Sequence, residues 1–167
     1  EQLDRTGLSY FDNYLLHCLD VDNYAIAERL DCFSFCLEQK RLGRIRHFGF
    51  SFHDTPELLD EILTAHPEVE FVQLQINYLD WESEKVQSRR CYETAVRHGK
   101  DVIVMEPVKG GKLVHVPEEA EARFKAAEPS LSVPSWAIRF AASLPETVMI
   151  LSGMSSFEQL SDNIGYM

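Results

Sequence analysis

The chain has 167 residues, 45% of them apolar and 11% aromatic, enough for one domain with a substantial core. Its formal net charge is −11, from 16 Lys and Arg against 27 Asp and Glu, and no basic stripe is present to follow a phosphate backbone, so nucleic acid is excluded as a partner. No run approaches about 18 uninterrupted apolar residues, so no membrane-spanning helix is expected.

Glu1 to Leu8 reads as the end of a helix, with Gly7 where helices often stop. This start has no signal-peptide pattern, and Ser161 to Met167 stops with a helix under way. The expectation is therefore a single domain, 1–167, truncated at both ends. Tyr10 to His17 (YFDNYLLH) is the first strand, and Asp20 to Asn23 the loop beyond it. Ile26, Leu30, Phe33 and Leu37 then recur at helical spacing, which predicts one helix from Tyr24 to Arg41, ended by Gly43. Ile45 to Phe50 is the second strand. Ser51 to Glu57 opens the next helix, with Asp54 or Thr55 as its cap and Pro56 in its first turn, and the helix runs to Ala65. Val69 to Ile76 is the third strand, Glu82 to His98 a helix, and Val102 to Met105 the fourth strand. Gly110-Gly111 mark a loop. Helices follow at Glu118 to Ala127 and Pro134 to Ala142, then a last strand at Thr147 to Leu151 and a final helix opened by Ser155 or Ser156 with Glu158.

Each apolar run ends in a polar cluster, at His17, Ser51, Asn77, Glu106 and Ser152, and these ends lie roughly 26 to 46 residues apart, what a strand, a helix and two loops consume in a parallel repeat. The spacing predicts an α/β fold of about five parallel strands with flanking helices. This is part of a β/α barrel, whose active site lies at the carboxyl ends of the strands. A closed barrel needs eight strands, so open sheet edges are expected to favour a homo-oligomer. Cys18, Cys32, Cys36 and Cys91 show no zinc spacing; Cys32 and Cys36 share a helix face as small apolar residues, and the compartment reads as cytoplasm.

The segments YFDNYLLHCLD, GRIRHFGFSFHDTPELLDEIL, FVQLQINYLDW, VIVMEPVKGGKL, SWAIRFAAS and ILSGMSSFEQLSDN together resemble the aldo-keto reductase family. The likeness is to its bacterial members with an iron–sulfur module after the barrel, and it runs from about the fourth to the eighth strand of their TIM (β/α)8 barrel. It implies an NAD(P)-dependent oxidoreductase that transfers hydride between the nicotinamide and a small-molecule carbonyl substrate. His17 would polarise the carbonyl; read alone, it is a structural His at a strand end. Ser51 and Gln73 would hold the nicotinamide carboxamide, with Phe52 standing where the family has Asn. Gln75 and Asn77 share the parity of Gln73, so some of these amides are core groups. Met105 stands where the family places an aromatic ring on the nicotinamide. Glu106, Pro107 and Gly111 would lie along the pyrophosphate, with Lys109 and Lys112 beside it, and Ser152, Gly153, Ser155, Gln159 and Asn163 would take the adenosine end. Ser155 replaces a basic residue that binds the NADP 2′-phosphate in many members, which leaves NAD open. The Asp, Tyr and Lys of the family's acid belong to strands not represented, so this segment alone is expected to be inactive. Tyr78 has no Lys partner to replace them. An iron–sulfur cluster would belong to the parent protein, outside this segment.

Two other readings come from the residues themselves. A half barrel could be a non-catalytic nucleotide-binding or subunit module, closing against another copy. His17, His53, Asp54 and Glu106 could serve a metal-dependent barrel hydrolase, although no compact ligand motif is present.

Overall fold

A computed structural model describes residues 1–166; Met167, in the expected final helix, lies outside them. Five strands, β1 (Phe11–Leu19), β2 (Ile45–Phe52), β3 (Phe71–Gln75), β4 (Asp101–Met105) and β5 (Thr147–Ile150), form one sheet in sequence order, with every adjacent pair parallel. Chain-order neighbours joined by helices are the arrangement of a β/α barrel wall, in agreement with the expected fold. No described helix is long and apolar enough to cross a membrane.

Among the described residues, eight α-helices accompany the sheet: α1 (Gln2–Thr6), α2 (Val21–Arg29), α3 (Cys32–Arg41), α4 (Pro56–Ala65), α5 (Ser88–Arg97), α6 (Glu118–Ala127), α7 (Val133–Ala142) and α8 (Phe157–Gly165). Phe48, Phe50, Val72, Leu74, Val102 and Val104 alternate onto the helix-covered face, where they join Phe33, Cys36, Leu59, Ile62 and Ala95 in the core. The other face carries Gly49, Ser51, Phe71, Gln73, Ile103 and Met149, which the register sets side by side.

The expected helix from Tyr24 to Arg41 is two helices. Asp31 takes φ 53°, breaking the ladder, and Ile26 and Leu30 are exposed while Phe33 is buried. Phe33 instead stacks on His66, with ring centroids 3.5 Å apart. The expected helix from Glu82 begins only at Ser88: Asp80 to Gln87 form turns, and Gln87 has φ 54°. β1 continues past His17 to Leu19, through a bulge at which Cys18 has φ 58°. β2 likewise reaches Phe52, so Ser51 belongs to a strand and not to a helix start. Thr55 caps α4, its Oγ1 accepting from Leu58 N, with Pro56 in the first turn. A short 3-10 turn at Lys112–Val114 was not expected. Gly7 ends α1 in a left-handed conformation as anticipated.

Candidate functional site

The carboxyl ends of the strands place the chosen residues in two groups. The first lies on the face of the sheet opposite the core helices. Ser51 pairs in register with Gln73, and Gln75 with Met105. The Ser51 hydroxyl is buried and accepts a hydrogen bond from Cys18 N at 2.6 Å, so it stitches the β1 bulge to β2 and keeps its own proton and one lone pair for a further partner. Gln73 Nε2 reaches Met105 Sδ at 3.4 Å. A thioether is a weak acceptor, so Gln73 retains most of its hydrogen-bonding capacity. His17 is exposed on β1, two residues beyond Leu15, which pairs with Gly49.

The second group surrounds a cleft of about 540 Å³ between the loop after β4 and the segment from β5 into α8. Glu106, Pro107, Gly111, Ser152, Gly153, Gln159 and Asn163 all line it, with Val108, Gly110, Val114, Pro134, Leu151, Met154 and Asp162. Asn163 Nδ2 donates to Ser152 Oγ at 3.0 Å, and Asn163 Oδ1 accepts from the Tyr166 hydroxyl. Ser155 is exposed outside the lining, and its N–H donates to Gln159 Oε1 at 2.7 Å. The Ser156 hydroxyl caps α8 by accepting from Gln159 N, so the helix amino terminus opens beside the cleft. Met105 joins the two groups, because Glu106 follows it directly.

The cleft lining contains no Lys or Arg; its charged side chains are Glu106 and Asp162. The N–H groups of Val108, Gly110, Ser152 and Gly153 have no hydrogen-bond partner among the described residues. A Cβ added at Gly110, Gly111 or Gly153 would meet nothing within 4 Å, so the backbone at these positions stands open. A wall of small residues with free amide donors suits a phosphate bound through main chain.

Behind the loop lies a knot that the sequence did not reveal. Asp80 is buried, and its Oδ2 accepts from Gln75 Nε2 at 2.8 Å and Asn77 Nδ2 at 2.9 Å, while Oδ1 pairs with Lys109 Nζ. Burial pushes the Asp80 carboxyl up, but the hydrogen bonds from Lys109, Asn77 and Gln75 and the Lys109 charge outweigh it, leaving the group below its ordinary value. Lys109 is thus engaged with Asp80 and not with the cleft, contrary to its expected place beside a phosphate. Gln75 and Asn77 are satisfied inside the protein, as same-parity neighbours of Gln73 can be. The one available signal was Asp80 three residues after Asn77, the spacing of an N-cap-like side-chain bond, since Asp80 N returns a bond to Asn77 Oδ1.

Tyr78 does not offer a substitute acid. Its hydroxyl is buried without a partner among the described residues, its ring stands edge-on to Phe124 and Phe140, and burial raises its pKa. No three of His, Cys, Asp and Glu converge among the described residues, so His17, His53, Asp54 and Glu106 do not form a metal-binding cluster.

Sheet order defines the wall of a β/α barrel, and the cleft opens beyond the carboxyl ends of its strands. The chain matches the Aldo/keto reductase family over residues 1–167 and belongs to it. Solved structures agree. The aldo-keto reductase AKR11C1 from Bacillus halodurans, in its holo form, is 25% identical with a TM-score of 0.71, over 98% of this chain and 57% of that one. A thermostable aldo-keto reductase, Tm1743, solved with the inhibitor epalrestat, is 21% identical with a TM-score of 0.75, over 98% and 56%. An aldo/keto reductase from Klebsiella pneumoniae, solved with NADP and acetate, is 18% identical with a TM-score of 0.68, over 98% and 55%. The chain therefore spans a little over half the length of these proteins. No protein of curated function matches it significantly.

Proposed function

We propose that the chain is the cofactor-binding part of an NAD(P)-dependent aldo-keto reductase, acting on a small-molecule carbonyl substrate. The observation that carries this reading is the cleft. Seven residues chosen for the phosphate and adenosine end of a dinucleotide meet around it, from two segments distant in sequence, with free backbone donors and open glycines. Ser152, Gly153, Gln159 and Asn163, with Ser155 at the rim, would take the adenosine side. Glu106, Pro107 and Gly111 would border the pyrophosphate. Ser51 and Gln73 would hold the carboxamide, and Met105 would pack against the ring.

When bound, the dinucleotide supplies the hydride. His17 would donate a hydrogen bond to the substrate carbonyl and so favour charge on its oxygen. Protonation of that oxygen needs an acid, worth roughly two to four orders of magnitude in rate. On this reading the acid is an Asp, Tyr and Lys set contributed by sequence outside these 167 residues, so the segment alone binds cofactor without turnover. Any iron–sulfur cluster would likewise belong to other parts of the parent protein. With Ser155 in place of a basic residue, NAD stays open beside NADP. Four unpaired cysteines suit a reducing cytoplasm.

Nicotinamide fluorescence titration of the chain tests the reading. The chain should bind NADH or NADPH, and Gly153→Asp, which sets a carboxylate in the cleft, should abolish binding. A chain that leaves the fluorescence of both cofactors unchanged sinks the proposal. The alternative subunit module is favoured by the exposed Val148, Met149 and Leu151 at the β5 edge. It would be supported by cofactor binding in a longer protein that shows no carbonyl-reducing turnover.

A further inference from the structure

We propose that Asp80 and Lys109 are positioning residues: their ion pair clamps the loop after β4 from behind and thereby sets the affinity of the cleft for a dinucleotide phosphate. This rests on the cofactor reading above. The Asp80 side chain is only 5% exposed and that of Lys109 21%, which makes Asp80 the most buried carboxylate of any ion pair among the described residues. A buried charge is tolerated only when its lone pairs are met, and here Gln75, Asn77 and Lys109 meet them. Asn77 Nδ2 also donates to the Glu106 carbonyl at 3.2 Å, so the same knot grips the loop at Glu106 and at Lys109.

Both gripped residues have left-handed backbones, Glu106 at φ 52° and Lys109 at φ 51°, followed by Gly110 at 59° and Gly111 at 88°. Glycine takes such angles freely, whereas Glu and Lys hold them only where surrounding structure compels it. The loop's shape is therefore imposed through the knot. Glu106, Gly110 and Gly111 line the cleft while Asp80 and Lys109 do not, so the clamp acts through the backbone it shapes.

Two readouts on Asp80→Asn, Lys109→Met, the double variant and Lys109→Arg test the clamp. Without cofactor, amide hydrogen exchange at Lys109, Gly111 and Leu113, whose N–H groups close the loop's turns, should speed up about tenfold in the first three variants, with exchange in β4 unchanged. Nicotinamide fluorescence titration should show affinity about tenfold weaker in the same three, and Lys109→Arg should restore both. The double variant leaves no unpaired buried charge, so it carries the test if a single variant fails to fold. Unchanged loop exchange in the double variant overturns the clamp. So does Asp80→Asn binding cofactor as tightly as the parent or more tightly, the result expected if Lys109 were freed to act as a direct phosphate ligand. If the parent chain binds no cofactor, the reading of the cleft falls, and the exchange experiment still decides whether the pair shapes the loop.

Discussion

Asp80 shows how one residue can matter without touching a ligand. Its carboxyl is held below the ordinary range, about 3.9 for an unfolded Asp, by Lys109, Asn77 and Gln75 acting against the cost of burial. The folded value is the lower one, so the stabilisation is complete above the unfolded value and is lost as pH falls through the folded one. Urea midpoints measured from pH 7 down to about pH 2 should therefore fall less steeply in Asp80→Asn than in the parent chain; parallel curves would contradict the pairing. The cysteines offer a second test at this scale. Burial, with a small push from Cys32, raises the Cys36 thiol to about 11, and burial raises that of Cys91 to about 12. Both should resist a disulfide reagent until the protein unfolds, while the half-buried Cys18 and Cys32 react first. Four thiols titrating at one rate in the native protein would refute this.

At the scale of the element, β2 depends on the absence of a side chain at Gly49. A Cβ there would come within 2.4 Å of the Phe71 carbonyl and 2.5 Å of its ring, and neither can withdraw without disturbing the pairing of β2 with β3. Gly49→Ala should cost about 1–3 kcal/mol, read as a lower urea midpoint, and an unchanged midpoint would show that the ring moves freely. Thr55→Ala removes the α4 cap and should cost about 1 kcal/mol in the same assay. The break between α2 and α3 belongs here too. Periodicity predicts one helix from Tyr24 to Arg41, but a period assigns a common face only while the backbone is continuous. Asp31 ends that continuity, which is why Ile26 and Leu30 face solvent and Phe33 does not.

At the scale of the whole chain, the sheet has two open edges among the described residues, and Met149, Leu151, Phe157 and Ile164 are exposed around the β5 end. Apolar surface of this kind next to unpaired strand edges promotes association. Sedimentation equilibrium should show species heavier than the 19.2 kDa chain as concentration rises, and a monomer at every concentration would count against it.

Strand count and parallel order were legible in the amino-acid sequence, because alternation, helical periods and turn residues are local and every strand ends at a polar cluster; the seven residues that line the cleft were picked out by the family resemblance. The grip of Asp80 on Lys109 was not, nor was the commitment of the Ser51 hydroxyl to the β1 bulge. Those depend on which side chains from different strands arrive within hydrogen-bond distance, and that distance is set by register, bulges and backbone angles that only the assembled sheet imposes.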